Sequence, residues 1–142
     1  MAELFAAVAA ERDGIATEPP VDIDAWTKEF AEAASNIILA VAGDELVGSL
    51  LIQRSRFGFG EIAMHVARDW RGRGVGSALV AAAIDKARAD GLHKLSLDVF
   101  PHNEAGIALY RKFGFVEEGR RVQAYRRQSG EYLDAIFMGL LL

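Results

Sequence analysis

The sequence predicts a mixed α/β fold, in which one central sheet of parallel and antiparallel strands carries helices on both faces. Three observations predict it. Runs of strand length recur at residues 36–42, 45–54, 61–67, 94–100, 115–127 and 132–142, several with the alternation of a half-buried strand and the one at 115–127 with a polar outer face. Helical patterns at 75–89 and 103–113 separate the middle strands, leaving room for crossovers between parallel neighbours. Turn signals at Gly43-Asp44 and Ser129-Gly130 join the outer strands into hairpins.

Each element has its own signal. Residues 1–12 place Leu4, Phe5 and Val8 at helical spacing among alanines, and Gly14 is expected to end that helix. Thr17-Glu18-Pro19-Pro20 reads as a loop. Asp22 or Asp24 caps a second helix with Trp26, Phe30, Ala33 and Ala34 on one face. Residues 54–60 read as a polar, glycine-bearing loop. In the strand at 61–67, Ile62, Met64 and Val66 share one face and Glu61, Ala63 and His65 the other. The helix at 75–89 carries Val75, Leu79, Ala83 and Ala87 on one stripe, and Gly91 suits the left-handed position that ends it. Leu95, Leu97 and Val99 alternate in the next strand, which Pro101 stops. Asn103 opens the last helix and Gly114 closes it.

Between the strand at 61–67 and the helix at 75–89 lies Arg71-Gly72-Arg73-Gly74-Val75-Gly76-Ser77. A helix start presents unpaired N–H groups and the positive end of the helix dipole. Glycines let a ligand come close to that backbone, and the arginines add charge. The layout suits a phosphate or pyrophosphate. It is not a P-loop, because no Gly-Lys-Ser/Thr follows. It is a poor dinucleotide fingerprint, because Ser77 stands where the third glycine belongs. The alternative is a glycine-rich turn with solvated arginines.

Composition bounds the rest. The 142 residues suffice for one domain spanning 1–142, and 51% apolar with 25% charged residues is ordinary for a globular protein. Sixteen basic against 20 acidic residues give a net charge of −4, which argues against nucleic acid as a partner and suits a cationic substrate. The absence of cysteine excludes disulfides, thiolate metal sites and an acyl-cysteine intermediate. His93 and His102 have no ligand-like spacing with His65, so no metal site is expected. The start Met1-Ala2-Glu3-Leu4 lacks the basic region of a signal peptide, and no apolar run reaches membrane-spanning length. A cytoplasmic protein with no membrane contact is expected. The apolar last strand suits either a dimer contact or a buried sheet centre, which leaves a homodimer open.

The segment Asn103-Glu104-Ala105-Gly106-Ile107-Ala108-Leu109-Tyr110-Arg111-Lys112-Phe113-Gly114-Phe115, together with the glycine loop, closely resembles the GNAT superfamily of N-acetyltransferases. That family carries Arg/Gln-x-x-Gly-x-Gly/Ala after one central strand, matched by Arg71, Gly74 and Gly76. It carries Asn-x-x-Ala-x-x-Leu-Tyr-x-x-x-Gly-Phe after the next, matched except that Gly106 replaces the usual alanine. The ending, Glu117-Glu118-Gly119 through Gly130-Glu131-Tyr132-Leu133-Asp134, looks most like the phosphinothricin and amino-acid N-acetyltransferase branch. Family members usually begin with a strand before the first helix, whereas this chain opens in that helix. Either the edge strand is absent or the true start lies upstream.

The resemblance implies acetyl transfer from acetyl-CoA, as cosubstrate, to a primary amine of a small molecule or amino acid by direct attack in a ternary complex. A protein N-terminal or lysine acetyltransferase and a non-catalytic acyl-CoA-binding module are the alternatives. It implies that the strands at 61–67 and 94–100 splay, so that the pantetheine arm bonds to backbone around Met64, His65 and Val66. The pyrophosphate then rests on N–H groups from Arg71 to Ser77, with Arg68, Arg71 and Arg73 meeting phosphates. The Val66 N–H polarises the thioester carbonyl. Tyr110 is the acid for the leaving thiolate, against a purely packed ring. Asn103 contacts the cofactor arm, or serves only as a helix N-cap. Glu61 is the base and His65 the backup base and substrate contact, against a surface glutamate and a packed histidine. Glu18 holds a cationic substrate, or is an exposed loop acid. Arg111, Lys112, Arg120, Arg121, Arg126 and Arg127 read as solvated faces.

Overall fold

The computed structural model describes residues 1–142. Six strands form one sheet in the order β1-β2-β3-β4-β6-β5. β1 (Ile37–Ala42), β2 (Glu45–Arg54) and β3 (Phe59–Val66) run antiparallel in succession, and β4 (Lys94–Val99) lies parallel to β3. β6 (Tyr132–Leu141) sits between β4 and β5 (Val116–Arg126), antiparallel to both. The apolarity of the last strand is therefore used inside the sheet, with Ala135, Ile136 and Met138 buried.

Helices cover both faces. α1 (Ala2–Ala10) and α2 (Ile23–Glu32) meet through Phe5, Trp26 and Phe30, with the Phe5 and Trp26 ring centres 4.3 Å apart. The Asp22 carboxylate caps α2 by accepting from the Ala25 N–H at 2.9 Å. Phe5 then lies 5.0 Å from His65, which places both helices over that face of β3. α3 (Val75–Ala89) and α4 (Glu104–Lys112) pack on the opposite face. Ala83 and Ala87 are wholly buried and let α3 lie close to the sheet. Gly48 is needed beneath it, since a Cβ there would stand 3.0 Å from Leu79 and Val75 carbons.

The feature that positions the site is a break in pairing. β3 and β4 pair at Phe59/Lys94, Gly60/Leu95 and Glu61/Ser96, and there the pairing ends. Beyond it β3 stays with β2 as far as Val66, and β4 stays with β6 as far as Val99. The two strands splay into a gap.

Two boundaries differ from expectation. α1 stops at Ala10 because Arg12 adopts a left-handed backbone, φ 57°, before Gly14 is reached. β3 begins at Phe59, inside the expected loop, because Gly60 lets β2 and β4 close in. A Cβ there would lie 2.7 Å from Ile52 Cγ2 and 3.0 Å from Leu92 Cδ1.

Candidate active site

The glycine loop forms a cradle of unused donors. A short 3₁₀ turn, Arg68–Trp70, leads out of β3, and Gly72 (φ 68°) and Gly74 (φ 88°) bend the chain into α3. The first N–H of α3 to find a backbone acceptor is that of Ala78, on the Gly74 carbonyl. The N–H groups from Gly72 to Ser77 have no acceptor within the protein. Such a set at a helix start fits a diphosphate. Arg73 is held with its guanidinium 4.0 Å above the Trp70 ring, beside this cradle.

Arg71 departs from the expectation. Its guanidinium makes two bonds to Glu11, at 2.7 and 3.0 Å, and its Nε–H donates to the Val66 carbonyl at 3.1 Å. Its own N–H bonds to the Arg68 carbonyl. Arg71 braces the end of β3 against α1.

The backbone of β3 faces the gap. Ala67 N–H donates to Val47 and Ser55 N–H to Phe59, both at 2.8 Å, which fixes the phase of the antiparallel ladder. By that alternation His65 and Ala63 bond to β2, while Met64 and Val66 turn their polar groups away from it. The Val66 carbonyl is taken by Arg71, which leaves the Met64 N–H and carbonyl and the Val66 N–H looking into the splay, where an extended amide-bearing chain can bond to them as a further strand.

A cleft of about 570 Å³ passes through the splay and reaches both faces of the sheet. Met64, Asn103 and Tyr110 line it on the α4 side. Tyr110 is 9% exposed, packed 5.7 Å from the Phe115 ring, and burial pushes its phenol up to about 12. It therefore stays protonated throughout the physiological range. The Asn103 side chain accepts from the Gly106 N–H at 3.0 Å and so caps α4, while also lining the cleft. The glycine at 106 fits this arrangement, because a Cβ there would stand 2.7 Å from Asn103 Nδ2.

On the α1–α2 side the cleft is aromatic and acidic, with Phe5, Trp26 and Phe30 beside Glu29, Glu61 and Asp98. His65 lines it too, and burial lowers its imidazole to about 4. It is neutral at physiological pH and a weak proton acceptor. Glu61 is exposed to the cleft.

Glu18 and Arg127 also depart from expectation. Arg127 is 6% exposed. Its guanidinium donates to the carbonyls of Arg12 (2.7 Å), Ile15 (3.0 Å) and Ala16 (3.1 Å) and lies 3.5 Å from Glu18. Glu18 in turn accepts from the Gln128 N–H at 2.6 Å. Glu18 thus anchors the loop between α1 and α2, and it does not line the cleft. The loop residues that do are Gly14, Ile15, Ala16 and Thr17, the segment Arg127 holds. Arg120 and Arg121 are not idle either: Arg120 bonds Asp134 at 2.8 Å, and Arg121 lines the cleft. No group of acidic or histidine side chains with metal-binding geometry is present. No helix is long and apolar enough to cross a membrane.

Comparison with known proteins agrees with this geometry. Residues 2–115 match the Acetyltransferase (GNAT) family. The L-methionine sulfoximine/L-methionine sulfone acetyltransferase of Pseudomonas paraeruginosa is 36% identical over 88% of this chain and 77% of its own. The L-amino acid N-acetyltransferase AaaT of Escherichia coli is 32% identical over 80% and 73%. Among solved structures, ribosomal-protein-alanine N-acetyltransferase from Brucella melitensis superposes with a TM-score of 0.91 at 26% identity, covering 99% of this chain and 91% of that one. The yncA acetyltransferase structure from Salmonella typhimurium, solved with acetyl-CoA, has the same fold, with a TM-score of 0.87 at 23% identity, covering 99% and 86%. The chain belongs to the GNAT family and is an acetyl-CoA-dependent N-acetyltransferase.

Proposed function

We propose that residues 1–142 act as one domain that acetylates the primary amine of a small molecule or free amino acid. The observation that carries this reading is the cleft itself. It joins the free backbone edge of β3 on one side of the sheet to an acidic, aromatic chamber on the other. Amino-acid acetyltransferases of similar sequence support the acceptor class. The net charge of −4 fits a small cationic partner better than a nucleic acid.

In this reading the N–H groups from Gly72 to Ser77 hold the diphosphate of acetyl-CoA, and Met64 and Val66 hold its arm. Bound there, acetyl-CoA supplies an activated acyl carbon with a thiolate leaving group. The Val66 N–H stabilises the oxygen of that carbon as negative charge develops on it. Glu61, directly or through water, removes the proton from an acceptor ammonium that ordinarily titrates near 10. The amine nitrogen then forms the new bond to carbon as the carbon–sulfur bond breaks, and the second proton it sheds in becoming an amide passes to water, balancing the one the departing sulfur takes up. Tyr110 faces the departing sulfur as an O–H donor. Its pKa of about 12 exceeds that of an ordinary thiol, about 8.5, by several units. It therefore stabilises the thiolate by hydrogen bonding first, and yields its proton as burial makes the sulfur more basic.

An acetyl-CoA-dependent thiol-release assay against amines, amino acids and peptides tests the proposal. Turnover on amino acids or small amines is expected. Turnover confined to peptides would make this a protein acetyltransferase, like the ribosomal-protein-alanine N-acetyltransferase of Brucella melitensis. Cofactor binding without turnover on any amine would make it an acyl-CoA-binding module.

A further inference from the structure

Strand β5 carries a built irregularity beside the cleft. Arg121 pairs with Ala135 and Tyr125 with Leu133, so residues 122, 123 and 124 stand opposite the single residue Asp134. Gln123 adopts a left-handed backbone, φ 52°, unusual for a residue with a side chain. Asp134 pins this bulge by accepting from the Gln123 N–H at 2.7 Å and from Arg120 at 2.8 Å. Those two bonds also hold the Asp134 carboxyl below the usual range, the first being the larger cause. Bulges bend a strand and re-aim its side chains, often beside active sites.

The consequence is a convergence. Four residues of regular strand would separate Arg121 from Tyr125 by roughly 14 Å, whereas two residues of β6 span roughly 7 Å. Both side chains reach one carboxylate. Tyr125 Oη–H donates to Asp98 at 3.3 Å, and an Arg121 nitrogen stands 3.8 Å from the same oxygen. The Arg121 guanidinium is steadied 4.5 Å from the Phe137 ring centre. At 3.8 Å its contact with Asp98 is too long for a hydrogen bond, so its fork of donors stays available. Arg121 is also the one lysine or arginine that lines the cleft, against Glu29, Glu61 and Asp98.

We propose that Arg121, delivered by the β5 bulge, is the residue that selects acceptors bearing a carboxylate beside the amine. A guanidinium and a carboxylate held side by side complement a zwitterionic head, with Asp98 toward the ammonium and Arg121 toward the carboxylate. The aromatic wall of Phe5, Trp26 and Phe30 then receives an apolar side chain. This rests on acetyl transfer taking place in the cleft.

The test compares the proteinogenic L-amino acids and L-methionine sulfone, each against its own carboxamide, in the thiol-release assay. Wild-type protein is expected to prefer the free acid. Arg121→Gln should lower kcat/KM on the acid about 10- to 100-fold, chiefly through KM, and leave the carboxamide within about twofold. Arg121→Lys should restore part of the preference. Asp134→Ala, which frees the bulge without touching the cleft, should shift selectivity in the same direction. Equal turnover of acid and amide by wild type, turnover of amides alone, or equal loss of both in Arg121→Gln would overturn the role of Arg121 and leave acetyl transfer standing. Absence of turnover on every amine would overturn both.

Discussion

Replacing Arg127 with methionine removes one buried guanidinium from a three-carbonyl grip, and the cost can be worked from the contacts. Bonds from a charged donor contribute about 1.5–3 kcal/mol each when one partner is deleted. Arg127 makes three, to Arg12, Ile15 and Ala16, and stands beside Glu18. Its side chain is only 5% exposed, so solvent screening discounts little. The loop can relax and rehydrate some carbonyls, which brings the sum down to about 3–5 kcal/mol, the usual cost of breaking a buried pair. At about 2.1 cal/mol/K per residue, unfolding entropy for this chain converts that into a Tm lower by roughly 10–17 °C. Thermal unfolding followed by circular dichroism reads it directly. Because the same bonds shape residues 14–17 of the cleft, KM for the acceptor should rise while that for acetyl-CoA stays put. A Tm within about 3 °C of wild type would refute the reasoning, since the guanidinium would then be dispensable to the loop.

Further outcomes follow from the same geometry. Tyr110→Phe should lower kcat by about 10²–10⁴ with acetyl-CoA affinity unchanged, and steady-state kinetics with unchanged turnover would remove Tyr110 from its role. Glu61→Gln should depress the plateau of the kcat/KM–pH profile and shift its acid limb; an identical profile would place the base elsewhere. Burial holds His65 neutral, with a folded pKa of about 4 against about 6.5 unfolded. The unfolded chain therefore binds the extra proton between those values, so stability falls as pH drops through that window, by up to about 3 kcal/mol. Urea denaturation at pH 7 and pH 4.5 should show a smaller loss for His65→Gln than for wild type, and equal losses would count against the assignment. Gly74→Val forces a branched residue toward φ 88° at the start of α3 and should weaken acetyl-CoA binding about tenfold or more by calorimetry; unchanged affinity would exonerate the loop.

The parts of this molecule that could be read from residues are those held by local rules. The helix at 75–89 falls where its apolar stripe and flanking glycines place it, and Asp22 and Asn103 are the caps their positions suggest. The order of strand, glycine turn and helix was legible because each has its own period or backbone requirement. What escaped was set by distant partners. Arg127 follows Arg126 at the end of an exposed strand and reads as solvated; what buries it is a loop 112 residues upstream at Ile15. Arg71 matches a phosphate motif, yet Glu11, sixty residues earlier, takes its guanidinium. The β5 bulge carries no glycine to announce it, because Gln123 takes the left-handed position with Asp134 securing its N–H. Glu18 beside two prolines looks like an exposed loop acid until Gln128 and Arg127 close over it.

All of the chemistry depends on the unpaired N–H groups of residues 72–77 and the open edge of β3 gripping acetyl-CoA. Isothermal titration of the purified chain with acetyl-CoA and with CoA measures that grip most directly. One site is predicted, with a dissociation constant between about 1 μM and 1 mM for both ligands. No saturable heat with either ligand at millimolar concentration would contradict the account.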